Sequence, residues 1–151
     1  MPKITPFLWF DGRAEEAMNF YLSVFKDGKV LNVGRKDGKV LVVTFELAGQ
    51  RFMALNAEPI FKFNESVSFF VNCEGQDEVD YYWNRLLEGG QESQCGWLKD
   101  KFGLSWQIIP SALMRLMGDP DPAKSKAVFD AMMKMKKIVV KDLESAYQKA
   151  A

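Results

Sequence analysis

The stretch FGLSWQII, residues 102–109, sets a carboxamide where a strand would turn one side inward. Strand alternation gives Phe102, Leu104, Trp106 and Ile108 one side, and Gly103, Ser105, Gln107 and Ile109 the other. A glutamine in that setting can hold a metal through its carbonyl, act on a substrate, or line a pocket as donor and acceptor together. None of the 151 residues is a histidine. Imidazole general bases, the triads that need one, and the commonest metal ligand are therefore excluded, and chemistry falls to carboxylates, Lys, Tyr, Cys or a borrowed cofactor. Glu15 and Glu16 open a helix and read as charges that complement its dipole rather than as an acid and a base. Glu46, Glu58 and Glu74 have no pairing spacing. Nothing beside Cys95 argues for a lowered thiol pKa, and Cys95 and Trp97 read as packing residues near a turn.

Acidic and basic residues balance at 20 each, so no charge field points to nucleic acid. Close to half the residues are apolar, enough to build a core in one compact domain or two small fused modules. No apolar run approaches the roughly 20 residues of a membrane-spanning helix. The start MPKITPFLWF has no secretory pattern, and Cys73 and Cys95 have no paired spacing, so a reducing, cytoplasmic setting is expected.

The elements that must position Gln107 come in two rounds. ITPFLWF reads as a strand ending at Asp11-Gly12, followed by a helix whose apolar face carries Ala14, Ala17, Met18, Tyr21, Val24 and Phe25 and which stops at Asp27-Gly28. The strands KVLNVGR, KVLVVTFEL and QRFMALN follow, parted by the hairpin signals Asp37-Gly38 and Ala48-Gly49. After AEPIFKFNE the order restarts: SVSFFVN, a helix with Val79, Tyr82, Trp83, Leu86 and Leu87 on one face, closure at Gly89-Gly90, strands over 91–97 and 98–101, and then FGLSWQII. Aligning Gly12 with Gly75 sets Thr5, Phe7 and Trp9 against Ser68, Phe70 and Asn72, with Pro6, Leu8 and Phe10 against Phe69, Val71 and Cys73 on the helix-packed face. Beyond Pro110 the pattern is helical. Ser111 is expected to cap a short helix, Asp121 with Pro122 a second, and a third runs from about Asp142 to Lys149; the methionines of this tail read as core or subunit contact.

Two β-α-β-β-β modules resemble the vicinal oxygen chelate superfamily over the first 110 residues. ITPFLWFDGRAEEAMNFYLSVF, LAGQRFMALN, CGWLKDKFGLSWQIIP and GDPDPAKSKAVFDAMMKMKKIVVKDLESAY, in that order, look like the PhnB-like family, often labelled 3-demethylubiquinone-9 3-methyltransferase. The resemblance implies an α+β fold, two βαβββ modules (1–57 and 66–110) forming a cup-shaped sheet of the glyoxalase/bleomycin-resistance type, with a helical tail over 111–151 and a homodimeric state. In metal-dependent members of the superfamily, His or Gln from the first strand of a module and Glu from its last hold a divalent ion. Here DKFGLSWQI sets Gln107 at the Glu position and SVSFFV sets Ser66 at the His position, while the first module offers residues near Lys3 to Thr5 and Ala54 to Asn56.

A divalent ion needs charged or strongly donating ligands to offset its dehydration, which Ser, Ala, Asn and Gln do not supply. The expectation is therefore a cup without a tightly held metal or other cofactor, binding a small, partly aromatic molecule. Phe7, Trp9 and Phe52 would form an aromatic wall, and Asn56, Ser66, Ser68, Phe70 and Gln107 the rest of the lining. The family label implies a different reading, an enzyme that is a methyltransferase or a degenerate lyase or dioxygenase, but the glycine-rich strand-to-helix turn of nucleotide cofactors is not in the sequence. A non-catalytic structural dimer is the third reading.

Overall fold

The computed structural model describes residues 2–150, which form two compact units, one running to Lys62 and the other beginning at Phe63. The first contains β1 (Phe7–Phe10), α1 (Ala14–Val24), β2 (Lys29–Lys36), β3 (Lys39–Leu47) and β4 (Gln50–Asn56). The second repeats the order with β5 (Ser68–Cys73), α2 (Gln76–Leu87), β6 (Gln91–Glu92), β7 (Trp97–Lys99) and β8 (Ser105–Pro110), and adds α3 (Ser111–Met117), α4 (Pro122–Met132) and α5 (Val140–Lys149). The fold is α+β. Each unit holds one open, mixed four-stranded sheet, β1-β4-β3-β2 or β5-β8-β7-β6, in which the first strand runs parallel to the last and the other pairs are antiparallel.

The hairpins of the first unit follow from their turns. Asp37 and Gly38 have φ of 55° and 78°, and Ala48 and Gly49 have 49° and 83°; paired positive φ values match the right-handed twist of the strands they join. With the register fixed, Leu8, Phe10, Val43, Phe45, Phe52 and Ala54 fall on the side that α1 covers, and all are buried. Phe45 stacks on Tyr21 of α1 at 6.5 Å between ring centroids and on Phe52 at 5.6 Å.

In the second unit Val79, Trp83 and Leu86 of α2 are buried with Leu98, Trp106 and Ile108. The strand expected over residues 102–109 starts only at Ser105. Asp100 is the cause: its carboxylate, in a residue 3% exposed, accepts from Phe102 N at 2.8 Å, Leu104 N at 3.1 Å and the Trp106 indole at 2.9 Å, curling 100–104 into a turn that Gly103 closes at φ 92°. β6 and β7 are likewise shorter than expected, because Cys95 and Gly96 take φ of 58° and 84° and turn the chain between them.

The helical tail has its own core of Leu113, Leu116, Val128, Ile138 and Leu143 around Ile109 at the end of β8, with Met117, Met132, Met135 and Tyr147 packed against it. Gln76, the first residue of α2, ties the tail down by donating to the Ile138 carbonyl at 3.0 Å and accepting from Val140 N at 2.7 Å. Asp121 caps α4 through Ala123 N at 2.9 Å, with Pro122 at the first helical position. Ser111 makes no cap bond; α3 begins on it with Pro110 as the capping residue. The third tail helix begins two residues before the expected Asp142.

Candidate functional site

Register places Gln107 opposite Phe70 of β5 on one side and Trp97 of β7 on the other. The neighbouring row on the same face runs Ser68, Ser105, Lys99 and Gln91 across all four strands. Strands about 4.8 Å apart and residues repeating every second position put the two rows roughly 7 Å from each other. An aromatic row with an amide at its centre thus lies beside a polar row, on the side of the sheet away from the buried Leu98, Trp106 and Ile108. Asn72 continues this face beyond Phe70, opposite Ile109.

Gln107 is half-buried, and its Nε2 donates to Ser68 Oγ at 2.9 Å across the strand pair. That bond fixes which way the amide points and leaves the Ser68 hydroxyl hydrogen to be donated elsewhere. Phe70 is 50% exposed. Ser105 is 1% exposed, and its Oγ has no hydrogen-bond partner among the described residues. An unsatisfied buried hydroxyl costs about 1–3 kcal/mol and calls for an explanation. Lys99 Nζ pairs with Glu65 Oε1 at 3.0 Å, and this pairing holds the Glu65 carboxyl below its usual pKa, first through the Lys99 hydrogen bond. Among the side chains of the two rows Lys99 carries the one formal charge.

The remaining expected residues are dispersed. Ser66 lies in the turn before β5, exposed, with its backbone N and its hydroxyl both bonded to Asn64 Oδ1, at 2.9 and 2.6 Å. Phe7 and Trp9 share one face of the first sheet with Met53 and Leu55. The Trp9 indole donates to the Glu58 carbonyl at 2.8 Å and meets Phe61 edge-on at 4.9 Å, so the segment after β4 folds back onto it. Phe52 does not join them. It lies on the opposite, α1-covered face, 5% exposed, so the expected three-ring wall is corrected in that Phe52 shares no face with Phe7 and Trp9. Asn56 is also on the helix side, where its Oδ1 accepts from Ala14 N at 2.8 Å and its Nδ2 donates to the Val40 carbonyl at 3.2 Å. It thus supplies a start to α1, whose own preceding residue, Arg13, makes no side-chain cap bond.

Trp97, Lys99 and Ser105 were not singled out for the site from the sequence. Trp97 was expected to pack, either at the rim or under the second helix; its register puts it on the Gln107 face, away from α2, where it is partly buried. The signal that would have found all three is the i, i+2 parity of WLK read together with SWQ. Cys73 is buried, which is the first cause raising its thiol to about 12, so it is unreactive at neutral pH. Among the described residues no three His, Cys, Asp or Glu side chains gather closely enough to hold a metal ion, and no helix is long and apolar enough to cross a membrane.

Two β-α-β-β-β units whose first and last strands pair in parallel define the vicinal oxygen chelate class, the fold of the glyoxalase and fosfomycin-resistance proteins. Within it, the chain belongs to the 3-demethylubiquinone-9 3-methyltransferase family, the PhnB-like proteins, whose family model matches residues 2–109 and leaves the helical tail outside. A Bacillus cereus PhnB protein assigned to the same methyltransferases is 36% identical, with a TM-score of 0.69, over 73% of this chain and 100% of that one. Protein PA1353 from Pseudomonas aeruginosa is 21% identical with a TM-score of 0.61, covering 73% of this chain and 98% of its own. FosX from Listeria monocytogenes, solved with Mn(II) and sulfate, shares the fold at 14% identity and a TM-score of 0.52, over 70% of this chain and 90% of its own. No curated protein matches the chain.

Proposed function

We propose that this PhnB-like protein binds a small, partly aromatic molecule on the Gln107 face, without a tightly held metal. The observation that carries this reading is the row Phe70–Gln107–Trp97, in which two aromatic side chains flank an amide oriented by Ser68. Ligand sites are mostly apolar with a few placed polar groups, and this row has that composition. Ser66, in the turn before β5, is a candidate for further lining of this face, and Phe7 and Trp9 are candidates for ligand contact on the sheet of the first unit.

The divalent ion of the metal-dependent relatives does not fit these residues. Gln107 and its neighbours Ser68 and Ser105 are neutral, and the nearest carboxylate, Glu65, is already paired with the Lys99 ammonium at 3.0 Å, so no anionic ligand is left over for a cation. A methyl-transfer reading is favoured by the family description. Against it, the strand-to-helix turns FDGRA and CEGQD carry one glycine each, not the glycine-rich turn that cradles a nucleotide cofactor, and the sheets are mixed rather than parallel. Its sign would be turnover that depends on S-adenosylmethionine. We further propose a homodimer working in a reducing compartment, in keeping with the commonest symmetric assembly and the two free cysteines.

Thermal-shift screening of small flat aromatics tests the binding reading. Compounds are expected that raise the wild-type midpoint and raise that of Gln107→Leu less, because leucine keeps the bulk and removes the donor and acceptor. A library that moves the wild type nowhere, or moves both proteins equally, defeats it.

A further inference from the structure

Resting on that reading, we infer that the row Ser68–Ser105–Lys99 seats an anionic oxygen head group, so that the ligand class is an aromatic carboxylic acid lying with its ring over the Phe70–Gln107–Trp97 row. The side chains of the polar row already show how such a group would be held. Lys99 is the cation of the face, and Glu65 reaches it from the turn before β5 with an N–O distance of 3.0 Å. The Glu65 side chain is 62% exposed and that of Lys99 36%. Exposed pairs of this kind stabilise by only about 0–1 kcal/mol, so an incoming carboxylate displaces Glu65 at little cost. Glu65 is thus an internal stand-in for the ligand's acid.

The neighbours are of matching chemistry. Ser105, next to Lys99 in register, keeps a buried hydroxyl without a partner among the described residues, and Ser68 accepts from Gln107, which leaves its own hydrogen free for an acceptor. Two hydroxyl donors and an ammonium in one row, with no carboxylate among them, favour an oxyanion over an amine. A planar acid sized to both rows spans roughly 7 Å from ring to head group, a dimension that a fused bicyclic carboxylate meets.

The test uses three probes with one ring system, 2-naphthoate, 2-naphthamide and 2-naphthylmethylamine, titrated calorimetrically into the full-length protein. The wild type is expected to bind the acid about tenfold more tightly than the amide, since a hydrogen bond to a charged partner exceeds a neutral one by about that factor, and the amine most weakly. Lys99→Gln is expected to reduce the acid to the level of the amide. Glu65→Gln, at an exposed position where folding is not at risk, is expected to tighten the acid about two- to fivefold and leave the amide unchanged, because it removes the internal competitor. An amine that binds as well as the acid, or a Lys99→Gln variant that keeps the acid-over-amide ratio, overturns the inference while leaving an aromatic site in place. If none of the three probes binds, the inference and the site reading fall together.

Discussion

Asp100→Ala is expected to lower the stability of the folded chain by about 3 kcal/mol, measured as a drop in the urea midpoint at constant slope. The carboxylate accepts from two backbone N–H groups and from the Trp106 indole, and with Asp100 3% exposed, water cannot take its place at no cost. Alanine leaves two buried donors, Leu104 N and the Trp106 indole, and the part-buried Phe102 N without their acceptor. Asn is expected to recover part of the loss, because its one carbonyl oxygen can serve the two backbone donors while its NH2 faces the indole N–H. The turn also sets where β8 begins, and hence where Ser105 and Gln107 stand. The Ala variant should therefore lose ligand affinity along with stability. An unchanged midpoint would show that the turn is held by something other than this carboxylate.

Phe52→Ala is expected to cost about 3 kcal/mol as well, through the cavity left beside Phe45, whose ring lies 5.6 Å away and stacks in turn on Tyr21. Because Phe52 faces α1, the variant should bind aromatic probes with wild-type affinity when measured well below its own midpoint. A large affinity loss without a stability loss would return Phe52 to the ligand wall where the sequence had suggested it belonged.

Phe52 shows where the sequence stops being legible. The β-α-β-β-β order can be read from local signals: Asp37-Gly38 and Ala48-Gly49 take the positive φ that hairpins need, and the apolar spacing picks out most of what the helices bury, although Tyr82 and Leu87 are only partly buried and Phe20 is buried without having been expected. Which residues of β4 share a face with Leu8 and Phe10 depends on its parallel register with β1, a pairing between residues more than 40 positions apart that alternation within one strand does not reveal, and the burial of that face shows it is the one α1 covers. Asn56 was misread for the same reason. Its amide serves the first turn of α1 from the far end of the unit.

The site was legible only in part. Gln107 and Ser68 were recognisable as polar residues on a shared face, and the structure joins them by a hydrogen bond. Trp97 and Lys99 were not, because β7 is three residues long and carries too short a pattern to show its parity. The start of β8 was misplaced since the buried carboxylate of Asp100 overrides the apparent strand pattern of Phe102 to Leu104. Family resemblance located the Gln107 position, whereas the charge of its surroundings came from the cross-strand neighbours.

Gln107 and Lys99 are expected to make this face a seat for an acid rather than for a cation. Parallel calorimetric titrations of the purified wild type with 2-naphthoate and with Mn(II) test it most directly. Saturable binding of the acid is expected, weakened by salt because Lys99 is partly exposed, with no saturable uptake of Mn(II). Stoichiometric Mn(II) binding with a micromolar dissociation constant, abolished in Gln107→Leu and not competed by the acid, would contradict it.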